Sequence, residues 1–243
     1  MHPFPSLQYT IIAIAVLAVL FLLSYYLKIL DLKGTTAAII FGAVVVFMDS
    51  FSWLILLLIF LATSHFATKY RFEYKKSLET EEGTDGERHF SNVFYAGIIG
   101  LFIAVLNFFY TSQYDLFLLF AAAFSSIAAD TLGSELGVLD PNTYLITTFK
   151  RVKTGINGGI SFLGEIATLF GAIIIGISYV FLTQATGIMM GFVGVVVAGF
   201  AAAQVDSVLG ATLENRNIID KGHVNFLASL SAVIIALPFL LLS

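Results

Sequence analysis

Two short acidic signatures stand out in this chain. The first is Ala128-Ala129-Asp130-Thr131-Leu132-Gly133-Ser134-Glu135-Leu136-Gly137. The second is Ala203-Gln204-Val205-Asp206-Ser207-Val208-Leu209-Gly210-Ala211-Thr212-Leu213-Glu214. In each, an Asp is followed by Thr or Ser and then by Gly within one turn. After a loop, each leads to a Lys/Gly/Asn stretch: Lys153-Thr154-Gly155-Ile156-Asn157-Gly158-Gly159 and Lys221-Gly222-His223-Val224-Asn225. Lys33-Gly34-Thr35-Thr36 and His89-Phe90-Ser91-Asn92 repeat parts of that pattern. Helix starts carry unpaired N–H groups and partial positive charge. Gly lets an anion approach the backbone, and Lys neutralises it, which suits phosphate. The same residue types also cap helices and sit at membrane interfaces.

Asp130 and Asp206 lie in apolar company. Carboxylates there need a partner and are functional candidates. Each either pairs with Lys or caps a neighbour, or both hold Mg²⁺, which takes one or two carboxylates plus substrate phosphates. Asp130 and Ser134 share a helix face. Glu135 joins them only if the helix breaks at Gly133. Asn157, Ser161 and Glu165 form a helical stripe that either extends the site or joins helices through hydrogen bonds. The parallel between Asp130–Lys153–Asn157 and Asp206–Lys221–Asn225 reads as a weak internal repeat of helix pairs.

The remaining chemistry is narrow. There are no cysteines, and His2, His65, His89 and His223 are scattered without metal-type spacing. Walker A, kinase-type glycine-loop and G-x-S-x-G patterns are missing, which argues against a soluble-type ATPase or a serine hydrolase. Net charge is −4 with no basic tail, so nucleic acid is not an expected partner. Acids, amides, lysines and glycines together suggest phosphate chemistry, which needs charge neutralisation and alignment and no protein nucleophile. A lipid phosphate with its tail between helices fits that layout.

The elements that must position these residues are membrane helices. The 243-residue chain is 58% hydrophobic and only 12% charged, too apolar for a soluble domain of this size. Candidate spans cover about 7–27, 34–48, 51–67, 91–110, 114–131, 160–182, 188–206 and 223–242. The N-terminus lacks the charged start of a secretory signal and reads as a retained helix. With eight spans, all twelve Lys and Arg fall in loops on one side, and seven spans would divide them. The expectation is therefore an all-α polytopic bundle in the cell membrane. It forms a single membrane domain with the polar face cytoplasmic and both termini outside. The loop from about Thr68 to His89, with its mixed charges, is expected to be a solvated helical hairpin or a disordered segment and is given no chemistry.

Three stretches carry a family resemblance. Ala129-Asp130-Thr131 to Ser134-Glu135-Leu136-Gly137, Asn157-Gly158-Gly159-Ile160-Ser161, and Asp206-Ser207-Val208-Leu209-Gly210-Ala211-Thr212 resemble the integral membrane family first catalogued as domain of unknown function 92. Asn92 and Asn225 resemble its helix-start asparagines. That family includes the plant phytyl-phosphate kinase and is distantly similar to CTP-dependent dolichol kinases and lipid cytidylyltransferases. One departure is visible: Gly155-Ile156-Asn157 stands where the family usually has Gly-Thr-Asn. This takes Ile156 off the binding set and leaves Thr154 as a substitute.

The resemblance implies phosphoryl transfer from a nucleoside triphosphate, with CTP the expected donor, to a prenyl monophosphate of phytyl or geranylgeranyl type. On this reading Asp130, Glu135 and Asp206 hold Mg²⁺ and the triphosphate. Lys153, Asn157, Gly158 and Gly159 cradle phosphates, with Lys221 and Asn225 from the second repeat. Thr131, Ser134, Thr154, Gly155, Ser161, Ser207 and Gly210 complete the nucleotide and substrate set. Lys33 and Asn92 are candidates for the acceptor phosphate. Attack is direct and in line, with no covalent enzyme intermediate. The absence of a leader and of long extra domains fits a prokaryotic, and further an archaeal, source. The alternatives are a lipid cytidylyltransferase, which releases pyrophosphate, and a transporter for a lipid phosphate or anion, which needs gates on both sides.

Overall fold

The computed structural model describes residues 6–48, 50–80, 90–110 and 115–242, without the side chains of residues 91–93 and 96. The order is α1 (Leu7–Tyr26), α2 (Leu32–Met48), α3 (Phe51–Lys69), α4 (Phe72–Ser77), α5 (Phe90–Phe109), α6 (Leu116–Gly137), β1 (Tyr144–Leu145), β2 (Gly159–Ile160), α7 (Phe162–Leu182), α8 (Ile188–Thr212), a 3₁₀ turn (Glu214–Arg216) and α9 (Lys221–Leu240). Six helices, α1, α3, α6, α7, α8 and α9, are long and apolar enough to cross a membrane. Of the eight spans expected, the other two are shorter apolar helices, Leu32–Met48 and Gly97–Phe109.

The bundle is built around α6. Every residue from Phe117 to Ala129 is buried, so this helix is apolar on all sides because it has neighbours on all sides. By contrast α1 buries only Ala13, Leu17 and Ser24, and exposes Ile11, Ile14 and Leu22. Between α1, α2 and α3 the packing leaves a cavity of about 310 Å³ lined almost wholly by hydrocarbon, including Leu20, Leu58 and Ala62.

Small residues let α6 approach its neighbours closely. A Cβ on Gly137 would stand 3.1 Å from the Gly164 Cα, and one on Gly171 would stand 2.7 Å from the Ala128 carbonyl oxygen. Such contacts replace hydrophobic drive as the glue between membrane helices. They also bring the ends of α6, α7 and α8 together, which is where the acidic signatures lie.

Contacts at both ends set the helix directions. Asp115 before α6 meets Tyr179 and Thr183 at the end of α7, while Ser161 before α7 bonds the Gly137 carbonyl at the end of α6. These two helices are antiparallel. Trp53 packs on Phe117 and Phe120 at the start of α6, and Thr68 bonds Glu135 near its end, so α3 runs parallel to α6. Tyr9 to Val46 and Ser24 to Thr35 make α1 and α2 antiparallel. Tyr9 packs on Phe51, so α1 runs with α3, and Lys221 reaches both Asp130 near the end of α6 and Asp206 near the end of α8. The segments after α1, α3, α6 and α8 therefore share one end, and the described lysines and arginines fall in those segments or within one helical turn of them.

Four local expectations are corrected. The sixth apolar helix, α7, starts at Phe162 and not 160, with Ser161 as its cap. Asn157 is therefore in a loop, and the Asn157–Ser161–Glu165 helical stripe does not exist. Lys153 likewise starts no helix, because residues 144–160 fold into a hairpin with Tyr144 opposite Ile160 and Leu145 opposite Gly159. The β-branched and aromatic run after Pro141-Asn142 and the left-handed Gly155 and Gly158 make that hairpin. Of the two courses left open at Gly133, the helix takes the unbroken one: α6 continues to Gly137, and Glu135 turns its carboxylate to Thr68 and Lys75. Finally, the segment after α3 is not simply solvated. It does contain a helix, α4, but Lys75 on that helix is fully buried; its residues 81–89 lie outside the described ones.

Candidate functional site

At the shared end of α6, α7, α8 and α9 a polar cavity of about 270 Å³ opens beside the hairpin. Its centre is an ion cluster. Lys221, the first residue of α9, places its Nζ 3.5 Å from Asp206 Oδ1 and 3.6 Å from Asp130 Oδ2. The Asp206 side chain is 6% exposed and that of Asp130 19%, whereas Lys221 is 48% exposed towards the opening. The loop order makes this possible. Asp220 caps α9 by accepting from the His223 N–H, so the next residue leaves the helix start pointing at the ends of α6 and α8. Donation from the His223 backbone and ring holds the exposed Asp220 carboxyl below its usual range.

The hairpin forms the opposite wall, and its glycines are there because of contact. Gly158 has φ 73°, and a Cβ on it would run into the Ser207 carbonyl oxygen and, at 2.5 Å, the Ala211 Cβ. Across the same contact, a Cβ on Gly210 would lie 3.1 Å from the Gly158 nitrogen. The Asn215 side chain donates to the Asn157 carbonyl at 2.9 Å, tying the hairpin tip to the turn after α8. Thr154 bonds Thr143 across the hairpin at 3.1 Å.

The structure brings together Asp130, Ser134, Glu135, Thr154, Gly155, Asn157, Gly158, Gly159, Ser161, Ser207, Gly210 and Lys221, which all line the cavity. Ile156, set aside on the sequence, lines it too. Glu165 also lines it, and accepts from Gln204 Nε2 at 2.9 Å, so it joins α7 to α8. Other candidates fall elsewhere. Lys153 is exposed in the hairpin and does not line the cavity. Thr131 is buried in α6 away from it, Asn225 is one turn further along α9, and Lys33 is exposed on α2. The side chain of Asn92 lies outside the described residues.

Glu135 has its own partners. Its Oε1 accepts from Thr68 at 2.7 Å and its Oε2 pairs with Lys75 Nζ at 2.5 Å. Lys75, Thr68, Thr80 and Asn215 are the residues that sequence reasoning missed. A lysine inside a mixed-charge run gives no sign of burial, and only the Glu135 signature hinted that a cation was needed.

Among the described residues, no three Asp, Glu or His side chains gather on one point. Asp130 and Asp206 converge from two helices on one cation, the ammonium of Lys221, at a cavity lined by hydroxyls, amides and glycines. Two carboxylates beside room for phosphate is the donor set that suits Mg²⁺, so the residues present fit that ion.

Comparisons with known proteins place the chain among membrane proteins. The uncharacterized membrane protein MJ0933 of Methanocaldococcus jannaschii is 30% identical over 227 residues, covering 92% of this chain and 91% of that one. Protein PGR of Arabidopsis thaliana is 30% identical over 227 residues, covering 84% and 78%. The chloroplastic protein VTE6 of the same plant is 27% identical over 192 residues, covering 77% and 57%. No solved structure matches. The family described as integral membrane protein DUF92 matches residues 15–233, nearly the whole bundle and the entire cavity. The chain belongs to that family.

Proposed function

We propose that this protein is a membrane-embedded prenyl-phosphate kinase. It transfers the γ-phosphoryl group of a nucleoside triphosphate, CTP by expectation, to a prenyl monophosphate. The observation that carries the reading is Lys221 held between Asp130 and Asp206 at the mouth of a cavity walled by a glycine hairpin. Phosphoryl transfer needs positioned charge more than any covalent help, and this cluster supplies both signs at one place. An oxygen of the acceptor monophosphate forms the new P–O bond, the bond to the β–γ bridging oxygen breaks, and nucleoside diphosphate leaves. Lys221 faces the opening and neutralises the phosphates. Asp130 and Asp206 would hold Mg²⁺, which supplies further neutralisation when bound. Ser134, Thr154 and Asn157 offer hydrogen bonds around them. Similarity to the chloroplastic VTE6 and the resemblance to the family that includes the plant phytyl-phosphate kinase support the lipid acceptor.

The same reading gives the protein eight crossings, with both termini outside and the cavity at the cytoplasmic face. Alternating helix directions and the gathering of cations at the cavity end support it.

The test is a transfer assay on the purified full chain in detergent, with Mg²⁺, γ-labelled CTP or ATP, and geranylgeranyl monophosphate. Label in a lipid diphosphate, lost without Mg²⁺, is the expected result. Wild-type turnover in both Asp130→Asn and Asp206→Asn would remove the assignment. Release of pyrophosphate in place of nucleoside diphosphate would make the protein a cytidylyltransferase.

A further inference from the structure

The most buried charge among the described residues is not in the cavity. Lys75, on the short helix α4, is 0% exposed. Its ammonium has three acceptors: the Ala67 carbonyl at 3.0 Å, the Thr68 carbonyl at 2.6 Å and Glu135 Oε2 at 2.5 Å. Burying an ammonium costs several kcal/mol unless geometry and hydrogen bonds compensate, and here every proton has an acceptor. The pair joins α4 to the end of α6.

The backbone of Lys75 does a second job. Its carbonyl accepts both the Thr80 N–H at 3.1 Å and the Thr80 hydroxyl at 3.2 Å. Left-handed Arg71 and Glu79, at φ 51° and 59°, turn the chain back on either side of α4. Thr80 is thereby set against the hairpin: a Cβ on Gly155 would lie 2.5 Å from the Thr80 Cγ2. Thr80 lines the cavity with Gly155 and Glu135. One residue thus links the core of the bundle to a cavity wall that comes from a distant part of the chain.

We infer that Lys75 is a positioning residue for the cavity. Its buried pair with Glu135 latches the segment 70–80 so that Thr80 seats on Gly155, and Glu135 serves as the counter-ion of that latch and not as a metal ligand. This rests on the proposed function only in taking the cavity as the place where phosphates bind.

The chain has no cysteine, so Thr80→Cys in this chain carries a unique thiol. Its rate of maleimide labelling in detergent reads the latch without any turnover. Lys75→Met in that background is expected to speed labelling about tenfold or more, because it leaves the Glu135 charge buried and unpaired. Adding Glu135→Met is expected to bring the rate back to within about threefold of the parent, since an apolar pair can replace a buried ion pair. Lys75→Gln serves in the same cycle if Lys75→Met does not purify.

In the transfer assay, without the Thr80→Cys change, Lys75→Met should raise KM about tenfold with kcat within about threefold. The Lys75→Met/Glu135→Met protein should keep the parental Mg²⁺ midpoint, both in turnover and in thermal stabilisation by Mg²⁺ with CTP. Equal labelling of Lys75→Met and its parent would overturn the latch. A Mg²⁺ midpoint raised about tenfold in the double variant would make Glu135 a ligand. Absence of transfer by the wild type would strike the kinase reading, while the labelling cycle would still decide the latch.

Discussion

The Lys221 ammonium stands 3.5 Å from Asp206 Oδ1, although the two residues belong to different helices and Asp206 is nearly out of reach of solvent. A carboxylate so placed needs its cation, and the same cation also faces Asp130. Lys221→Met should therefore cost stability as well as activity. Leaving a buried acceptor without its partner costs about 1–3 kcal/mol, read as a lower melting temperature in detergent. Turnover should fall about 100-fold or more, the scale for losing one preorganised charge-stabilising group. Adding Asp206→Asn should recover part of the melting temperature and none of the turnover. Full turnover in Lys221→Met would remove this lysine from the reaction.

Gly158 offers a test of the hairpin wall. Its left-handed backbone and its contact with the Ser207 carbonyl leave no room for a methyl group. In Gly158→Ala the left-handed conformation alone costs about 1–2 kcal/mol, and the hairpin must also lift from α8. The expected result is a higher KM for nucleotide and faster proteolysis of the 143–160 segment, with the helical content by circular dichroism unchanged. A variant with parental KM and protease resistance would show that the hairpin does not form the binding wall.

Much of this arrangement was legible in the sequence. Hydropathy located the apolar helices, because burial in lipid and burial in α6's neighbours both demand the same residues. The acidic signatures were legible because carboxylates are rare in such company, and Asp130, Asp206 and Lys221 do meet. What could not be read was the partner of each charge. Glu135 sits five residues from Asp130, yet its direction depends on whether α6 continues past Gly133, and it does. The Lys/Gly/Asn pattern looked the same before α7 and α9. Only Lys221 begins a helix, because Asp220 caps it, while left-handed Gly155 and Gly158 turn the other stretch into a hairpin. The supposed equivalence of the two helix pairs therefore holds for their acids and fails for their lysines.

That failure yields a discriminating pair of variants. Lys153 and Lys221 occupy matching places in the sequence pattern, but Lys153 is exposed and does not line the cavity. Lys153→Gln should keep turnover within about twofold of wild type, since surface substitutions away from special features usually change little. Its KM for CTP should move only through long-range charge, and that shift should vanish at about 0.5 M salt. A loss comparable to that in Lys221→Met would mean that the hairpin lysine reaches the phosphates when substrate is bound.

The far end of the bundle supplies the complementary test. Asp115 Oδ1 accepts from the Phe117 N–H and caps α6, while its Oδ2 accepts from Thr183 Oγ1 at 2.7 Å and Tyr179 OH at 3.0 Å. The carboxylate thus fastens the start of α6 to the end of α7, at the opposite end of those helices from Asp130. Asp115→Ala removes a cap and the acceptor of two hydroxyls, one of them on the fully buried Tyr179. The loss should be about 1–3 kcal/mol in stability. Because α6 and α7 also lock together at Gly137 and Ser161 beside the cavity, the site should keep its geometry below the melting transition. The expected signature is a lower melting temperature with KM and kcat unchanged at a temperature where the protein is folded. A fall in kcat without a fall in melting temperature would instead mean that the far end is coupled to the reaction, as alternating access in a transporter requires.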